Sequence, residues 1–257
     1  MKKLVILIIP LLLLLVSCQS DQKERAYLNE ELSVEERVDL LLEEMSVEEK
    51  VGQMSQYVGV GLMEEGNFYP GYGREDIEEM VKKGWVGSFL HVKTIEEANH
   101  LQKLASQSSR KIPLLMGIDA SHGHSFYVPG ATIYPTLIGL ASSWNPEMVG
   151  EIGKATAREM RATGYHWTFS ANFSVARDAR WGRVGETFGE DPFLVGEMGS
   201  ALIKGYQGKD FSNPDNVVAC MNHFIASGEP SNGLNFSPMD ISERRLREIY
   251  LPPFEAA

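Results

Sequence analysis

Trp167-Thr-Phe-Ser-Ala171 runs into Asn172-Phe-Ser-Val-Ala-Arg-Asp-Ala-Arg-Trp-Gly-Arg-Val-Gly-Glu-Thr-Phe-Gly-Glu-Asp-Pro192, which is followed by Phe193-Leu-Val-Gly-Glu-Met-Gly-Ser-Ala-Leu-Ile-Lys-Gly-Tyr-Gln207. The first piece reads as a short strand and the last, by its apolar spacing, as a helix. The 21 residues between them hold three arginines, four acids, a tryptophan and three glycines. A connection that long without periodicity of its own is uncommon and usually functional. Paired Arg and Asp/Glu side chains can lock such a loop through bidentate bonds. An arginine left over from that bracing, or Trp181, can face a polar, ring-shaped ligand. A loop that merely met solvent would need neither Trp181 nor Phe188.

The same alternation continues on both sides. Val86 to Leu90 reads as a strand, Ile95 to Gln107 as a helix and Leu114 to Ile118 as a strand. Pro146 to Thr163 reads as a helix capped by Asn145, Val217 to Met221 as a strand, and Ile241 onward as a helix. Two capping boxes, Ser33-Val-Glu-Glu36 and Ser46-Val-Glu-Glu49, open helices through Met45 and toward Gln53. The first of these carries Val34, Val38, Leu41 and Leu42 on one face. Gly59 to Gly73 is glycine-rich and reads as irregular, with room for a fifth strand before Gly59. Strands alternating with helices imply a parallel α/β sheet with crossovers. An open doubly wound sheet fits the count, but no glycine-rich phosphate turn follows the first strand.

Composition narrows the function classes. A formal charge of −11 argues against nucleic acid or anionic lipid as a partner. With 43% hydrophobic residues the chain can build a sizeable core. Residues 1–17 read as a signal peptide: Lys2 and Lys3, an apolar run Leu4 to Val16, then small Ser17. Leu15-Val-Ser-Cys18 is similar to a bacterial lipobox, in which Cys18 is lipidated and becomes the mature N-terminus. Residues 18–32 would then be a lipid-attached tether, with the membrane as partner through that anchor. This reading makes the protein an exported, periplasmic or outer-membrane lipoprotein. Cys220, the only other cysteine, sits in an apolar run and reads as a small core residue.

If the sheet closes as a barrel, functional side chains lie just past the carboxyl end of each strand. That rule selects Asp119, then Asn172 with the long loop to Arg183, then Asn222 and His223. Asp119 can accept hydrogen bonds from two neighbouring hydroxyls, or can be a helix cap or ion-pair partner. Arg183 offers a donor fork, and His223 a donor or an acceptor. Arg180 and Arg177 read as loop braces for Asp178, Glu186 or Asp191. Asp119, His122 and His124 also admit a metal-dependent hydrolase. The better reading has both histidines packed within their loop, with no metal and no cofactor.

Asp178-Ala-Arg-Trp-Gly-Arg183 followed by Glu186-Thr-Phe-Gly-Glu-Asp-Pro192 resembles the signature of the family 3 glycoside hydrolases, the β-glucosidase type. In the same order come Leu114-Leu-Met-Gly-Ile-Asp-Ala-Ser-His-Gly123, Gly130-Ala-Thr-Ile-Tyr-Pro135, His223-Phe224 and Ile241-Ser-Glu-Arg-Arg-Leu-Arg-Glu-Ile-Tyr-Leu-Pro-Pro-Phe254. The resemblance implies a (β/α)8 TIM-barrel-like domain over residues 33–257, incomplete, with about five βα units. An eight-stranded barrel needs about 250 residues, so the chain is expected to be part of a longer protein. The resemblance further implies that Asp119, Arg183 and His223 hold the terminal, non-reducing sugar of a β-linked oligosaccharide or glucoside. Asn222 stands where the family usually has lysine, without the charge or the reach of an ammonium. The implied nucleophile, an Asp in a Ser-Asp-Trp-like motif, and the acid/base Glu have no counterpart here and are expected beyond Ala257. Glu229 and Asp240 read as exposed loop acids unsuited to those roles. The missing pair leaves a non-catalytic sugar-binding lipoprotein as a further alternative.

Overall fold

The computed structural model describes residues 26–66, 69–124 and 128–257. The expected signal peptide, Cys18 and the start of the expected tether lie outside the described residues. The rest of that tether does not run free. Tyr27 is buried, its hydroxyl donates to the Arg110 carbonyl at 3.1 Å, and its own carbonyl accepts from Arg37 Nε at 2.8 Å.

Two helices follow, α1 (Val34–Glu44) and α2 (Val47–Gln53). Both open with the expected capping box: Ser33 and Ser46 accept from the Glu36 and Glu49 amides, and each glutamate bonds back to the cap amide. On the apolar face of α1, Val34, Val38 and Leu42 stay exposed. Polar contacts hold α1 instead, chiefly Arg110 to Glu44 at 2.7 Å.

Five strands make the sheet: β1 (Gln56–Val58), β2 (Ser88–Leu90), β3 (Leu115–Ile118), β4 (Trp167–Asn172) and β5 (Val218–Asn222). Every neighbouring pair is parallel, and the spatial order is the chain order, β1 to β5. A doubly wound sheet reverses direction at a switch point. These five strands show no reversal, so the units march one way round, as in a (β/α) barrel. The glycine-rich stretch after β1 is more regular than its composition suggested, because α3 (Val60–Gly66) and α4 (Arg74–Lys82) lie in and after it.

The helices α5 (Ile95–Ala105), α7 (Pro146–Ala162) and α8 (Pro192–Gln207) back the sheet, and the short α6 (Leu137–Ala141) precedes α7. Asn145 caps α7, accepting from the Met148 amide at 3.0 Å, and Asp191 caps α8, accepting from the Leu194 amide at 2.8 Å. The helix faces Ala98, Leu101, Leu104 and Ala105 of α5 and Val149, Gly153, Ala157 and Met160 of α7 are buried with Phe89, Met116 and Ile118 of the strands. α7 and α8 approach to backbone contact: a Cβ on Gly205 would lie 2.2 Å from the Gly150 carbonyl oxygen. The helix expected from Ile241 forms in pieces, as α9 (Glu243–Arg245), a π turn (Leu246–Tyr250) and α10 (Pro252–Glu255). Tyr250 is buried there, and Phe254 packs on Phe173 and Phe224.

Candidate active site

Parallel strands leave their last residues at one rim, and that rim gathers the chemistry. Asp119 follows β3 directly, with its side chain 37% exposed. His91 follows β2 directly, and its Nε2 stands 3.0 Å from Asp119 Oδ2. The strand-end rule reaches His91 as easily as Asp119, yet its sequence neighbourhood carries no motif that singles it out.

The long loop after β4 is built around its aromatic residues. Trp181 is 2% exposed and donates from Nε1 to Asn235 Oδ1 at 3.0 Å, and Phe188 is equally buried. Trp181 is therefore a plug under the loop and not a free face for a ring-shaped ligand. Asn172 also turns away from the rim: it is buried, and its Oδ1 accepts from the Ser174 amide at 2.9 Å. Arg180 braces as expected, gripping Asp178 through Nε at 3.0 Å and Nη2 at 2.7 Å. These bonds, with the Arg180 amide, hold the Asp178 carboxyl down at about 2. Arg177 donates from Nη1 to the Glu190 carbonyl at 3.4 Å. Glu186 pairs with Arg183, a bidentate contact with Nη2 at 2.6 Å and Nε at 2.9 Å.

Arg183 is the junction of the rim. Its guanidinium carbon lies 5.9 Å from the centre of the Trp181 ring, and its Nη2 is 3.4 Å from His223 Nε2. A guanidinium can only donate, so His223 accepts through Nε2 and is neutral in this contact. Burial, then the Arg183 charge, lowers the His223 pKa in agreement with that. The Arg183 pKa is raised, first by the Glu186 bonds, with the Asp119 charge adding to it. The structure thus brings Asp119, Arg183 and His223 together from three separate strand ends. Asn222 belongs to the same end but donates from Nδ2 to the Phe169 carbonyl at 3.0 Å, across the sheet. A register shift between Thr168 and Ala171 sets the pairing of Asn172 with Asn222 at this point.

Other sequence readings resolve differently. His124 is fully buried, with Nε2 2.6 Å from Thr163 Oγ1 and its ring edge-on to Tyr165, and burial lowers its pKa to about 4. Among the described residues no group of three His, Cys, Asp or Glu side chains could hold a metal. Glu229 is not an exposed loop acid, because it bonds the Tyr250 hydroxyl and Arg245, the latter at 2.8 Å. Asp240 is exposed. Cys220 is only partly buried, enough to push its thiol pKa up.

The family model for the glycosyl hydrolase family 3 N-terminal domain matches residues 46–257. The chain belongs to glycosyl hydrolase family 3.

Its relatives in the family include a periplasmic β-glucosidase of Salmonella typhimurium, 35% identical over 91% of this chain and 29% of the relative. A β-xylosidase of Formosa agariphila is 41% identical over 70% of this chain and 26% of its own length. Among solved family 3 structures, the exo-1,3/1,4-β-glucanase of a Pseudoalteromonas species superposes with a TM-score of 0.75 at 32% identity, over 87% of this chain and 28% of that one. The β-glucosidase of Listeria innocua, solved with glucose, gives 0.74 at 30% identity over 88% and 31%. The chain spans about a quarter to a third of the length of these relatives. Among the described residues no helix is long and apolar enough to cross a membrane.

Proposed function

We propose that this chain forms the sugar-gripping part of an exported, retaining β-glucosidase-type glycoside hydrolase that removes glucose from the non-reducing ends of β-glucosides or β-glucans. The observation that carries this reading is the convergence of Asp119, Arg183 and His223 on one rim, with Arg183 3.4 Å from His223 and the Asp119 charge felt by both. Asp119 accepts from adjacent sugar hydroxyls, Arg183 donates to the same ring from the part of the guanidinium that Glu186 does not hold, and neutral His223 bonds a third hydroxyl. Retention requires two carboxyl groups roughly 5–5.5 Å apart, one a nucleophile and one an acid/base. Both are assigned to residues beyond Ala257, so this chain supplies binding geometry and not the reacting pair. Asn222, in place of the family's usual lysine, leaves the rim with one cation fewer.

The test is the full-length protein with aryl β-glucoside and aryl β-xyloside, the released sugar being followed by NMR. The expected result is β-glucose formed first, with a clear preference for the glucoside. Release of α-glucose, or no release, would refute the reading. A preference for the xyloside would favour the alternative that the 41% identical β-xylosidase supports.

The periplasmic relative also supports export. In this reading residues 1–17 are removed, Cys18 is acylated, and residues 33–257 carry the barrel portion. One acyl chain gives only marginal membrane binding, so anchoring rests on several chains at one cysteine. The mature protein should partition into a detergent phase and Cys18→Ala should leave it. Signal cleavage anywhere but immediately before Cys18 would overturn the anchor.

A further inference from the structure

His91 reaches Asp119, the residue proposed to grip sugar, from the neighbouring strand end. Its side chain is only 13% exposed, and its Nε2 lies 3.0 Å from Asp119 Oδ2. That is ion-pair distance, close enough for the ring to limit where the carboxylate can sit. The residue is also held in an uncommon backbone state, φ +58°, where residues other than glycine are sparse. Neighbouring strands enforce it. The His91 amide donates to the Gly117 carbonyl at 2.9 Å, and a Cβ on Gly59 would lie 2.6 Å from the His91 carbonyl oxygen. Such backbone states persist where the surroundings over-determine them, and they gather at ligand sites.

We infer that His91 is a positioning residue, which fixes the Asp119 carboxylate in the orientation that receives sugar hydroxyls. The inference rests on the proposed sugar-binding role of Asp119. At a strand end and 37% exposed, Asp119 would otherwise sample several rotamers. The contact at Oδ2 selects one of them, leaving Oδ1 for substrate. His91 itself is set by its backbone contacts with Gly59 and Gly117, so the rigidity of the sheet reaches the carboxylate through one close side-chain contact.

The experiment is a double-mutant cycle in the full-length enzyme, with an aryl β-glucoside as substrate. His91→Leu should lower kcat/KM about tenfold at unchanged melting temperature. In an Asp119→Ala background it should add less than about twofold, because the group it positions is gone. His91→Gln, which places an N–H near the original Nε2, should recover most of the loss. A structural role alone would give additive losses and no such rescue. If Asp119→Ala is severe but His91→Leu is silent or additive, the positioning role is wrong and the sugar-binding reading stands. If Asp119→Ala is itself mild, that reading fails and the inference fails with it.

Discussion

Asp119→Asn in the full-length enzyme is expected to lower kcat/KM for an aryl β-glucoside by about 30- to 1000-fold, with the fold intact. The change keeps the shape of the side chain, removes its charge and turns one of two acceptors into a donor. Hydrogen bonds to charged groups are the stronger ones, and leaving a sugar hydroxyl facing the wrong partner adds a desolvation penalty. Together these amount to about 2–4 kcal/mol of transition-state stabilisation. The rim makes the change harder to absorb. His91 Nε2 already stands 3.0 Å from one oxygen of Asp119, so the amide must suit both that ring and the sugar. A variant that stays within about threefold of wild type would reduce Asp119 to a structural partner of His91.

Trp181→Ala is expected to be the most damaging change to stability. The ring is almost fully buried, donates to Asn235 from the loop after β5, and has the Arg183 guanidinium above it. Truncating a buried tryptophan costs about 3–5 kcal/mol, from lost transfer energy and the cavity left behind. Urea unfolding measures it directly. Trp181→Phe separates the contributions, since it keeps most of the apolar volume and loses only the Asn235 bond and part of the ring. A loss below about 1 kcal/mol for Trp181→Ala would mean that the loop is not built on this side chain.

The parts of this fold that are legible in the sequence are those with a local physical cause. Ser33 with Glu36, Ser46 with Glu49 and Asn145 announce their helices, because a cap needs only its own turn. α4 escapes such a reading because Gly73 precedes it, a residue with no side chain to cap with. The barrel-like order of the strands follows from alternation and family resemblance, while the direction of individual side chains does not. Trp181 reads as available to a ligand because its partner Asn235 lies in the loop of the next strand. Asn172 and Asn222 look alike as strand-end amides, but each is spent on backbone. Strand position alone is enough to find Asp119. His91 satisfies the same rule without standing out, because what marks it is a contact across the rim and a backbone angle that no spacing pattern displays.

The pairing of Arg183 with Glu186 bears on what the rim can accept. One fixed positive charge sits beside two carboxylates, Glu186 and Asp119, and the nearby imidazole is neutral. The basin therefore carries an excess of negative charge around the guanidinium. A uronic acid or a sugar phosphate would bring a further anion into that field, where like charges at short range are costly. A neutral pyranose meets no such barrier. It offers hydroxyls that can hydrogen-bond to the carboxylates and accept from the guanidinium, so in the proposed sugar-binding role the arrangement would screen ligands by charge before shape is consulted.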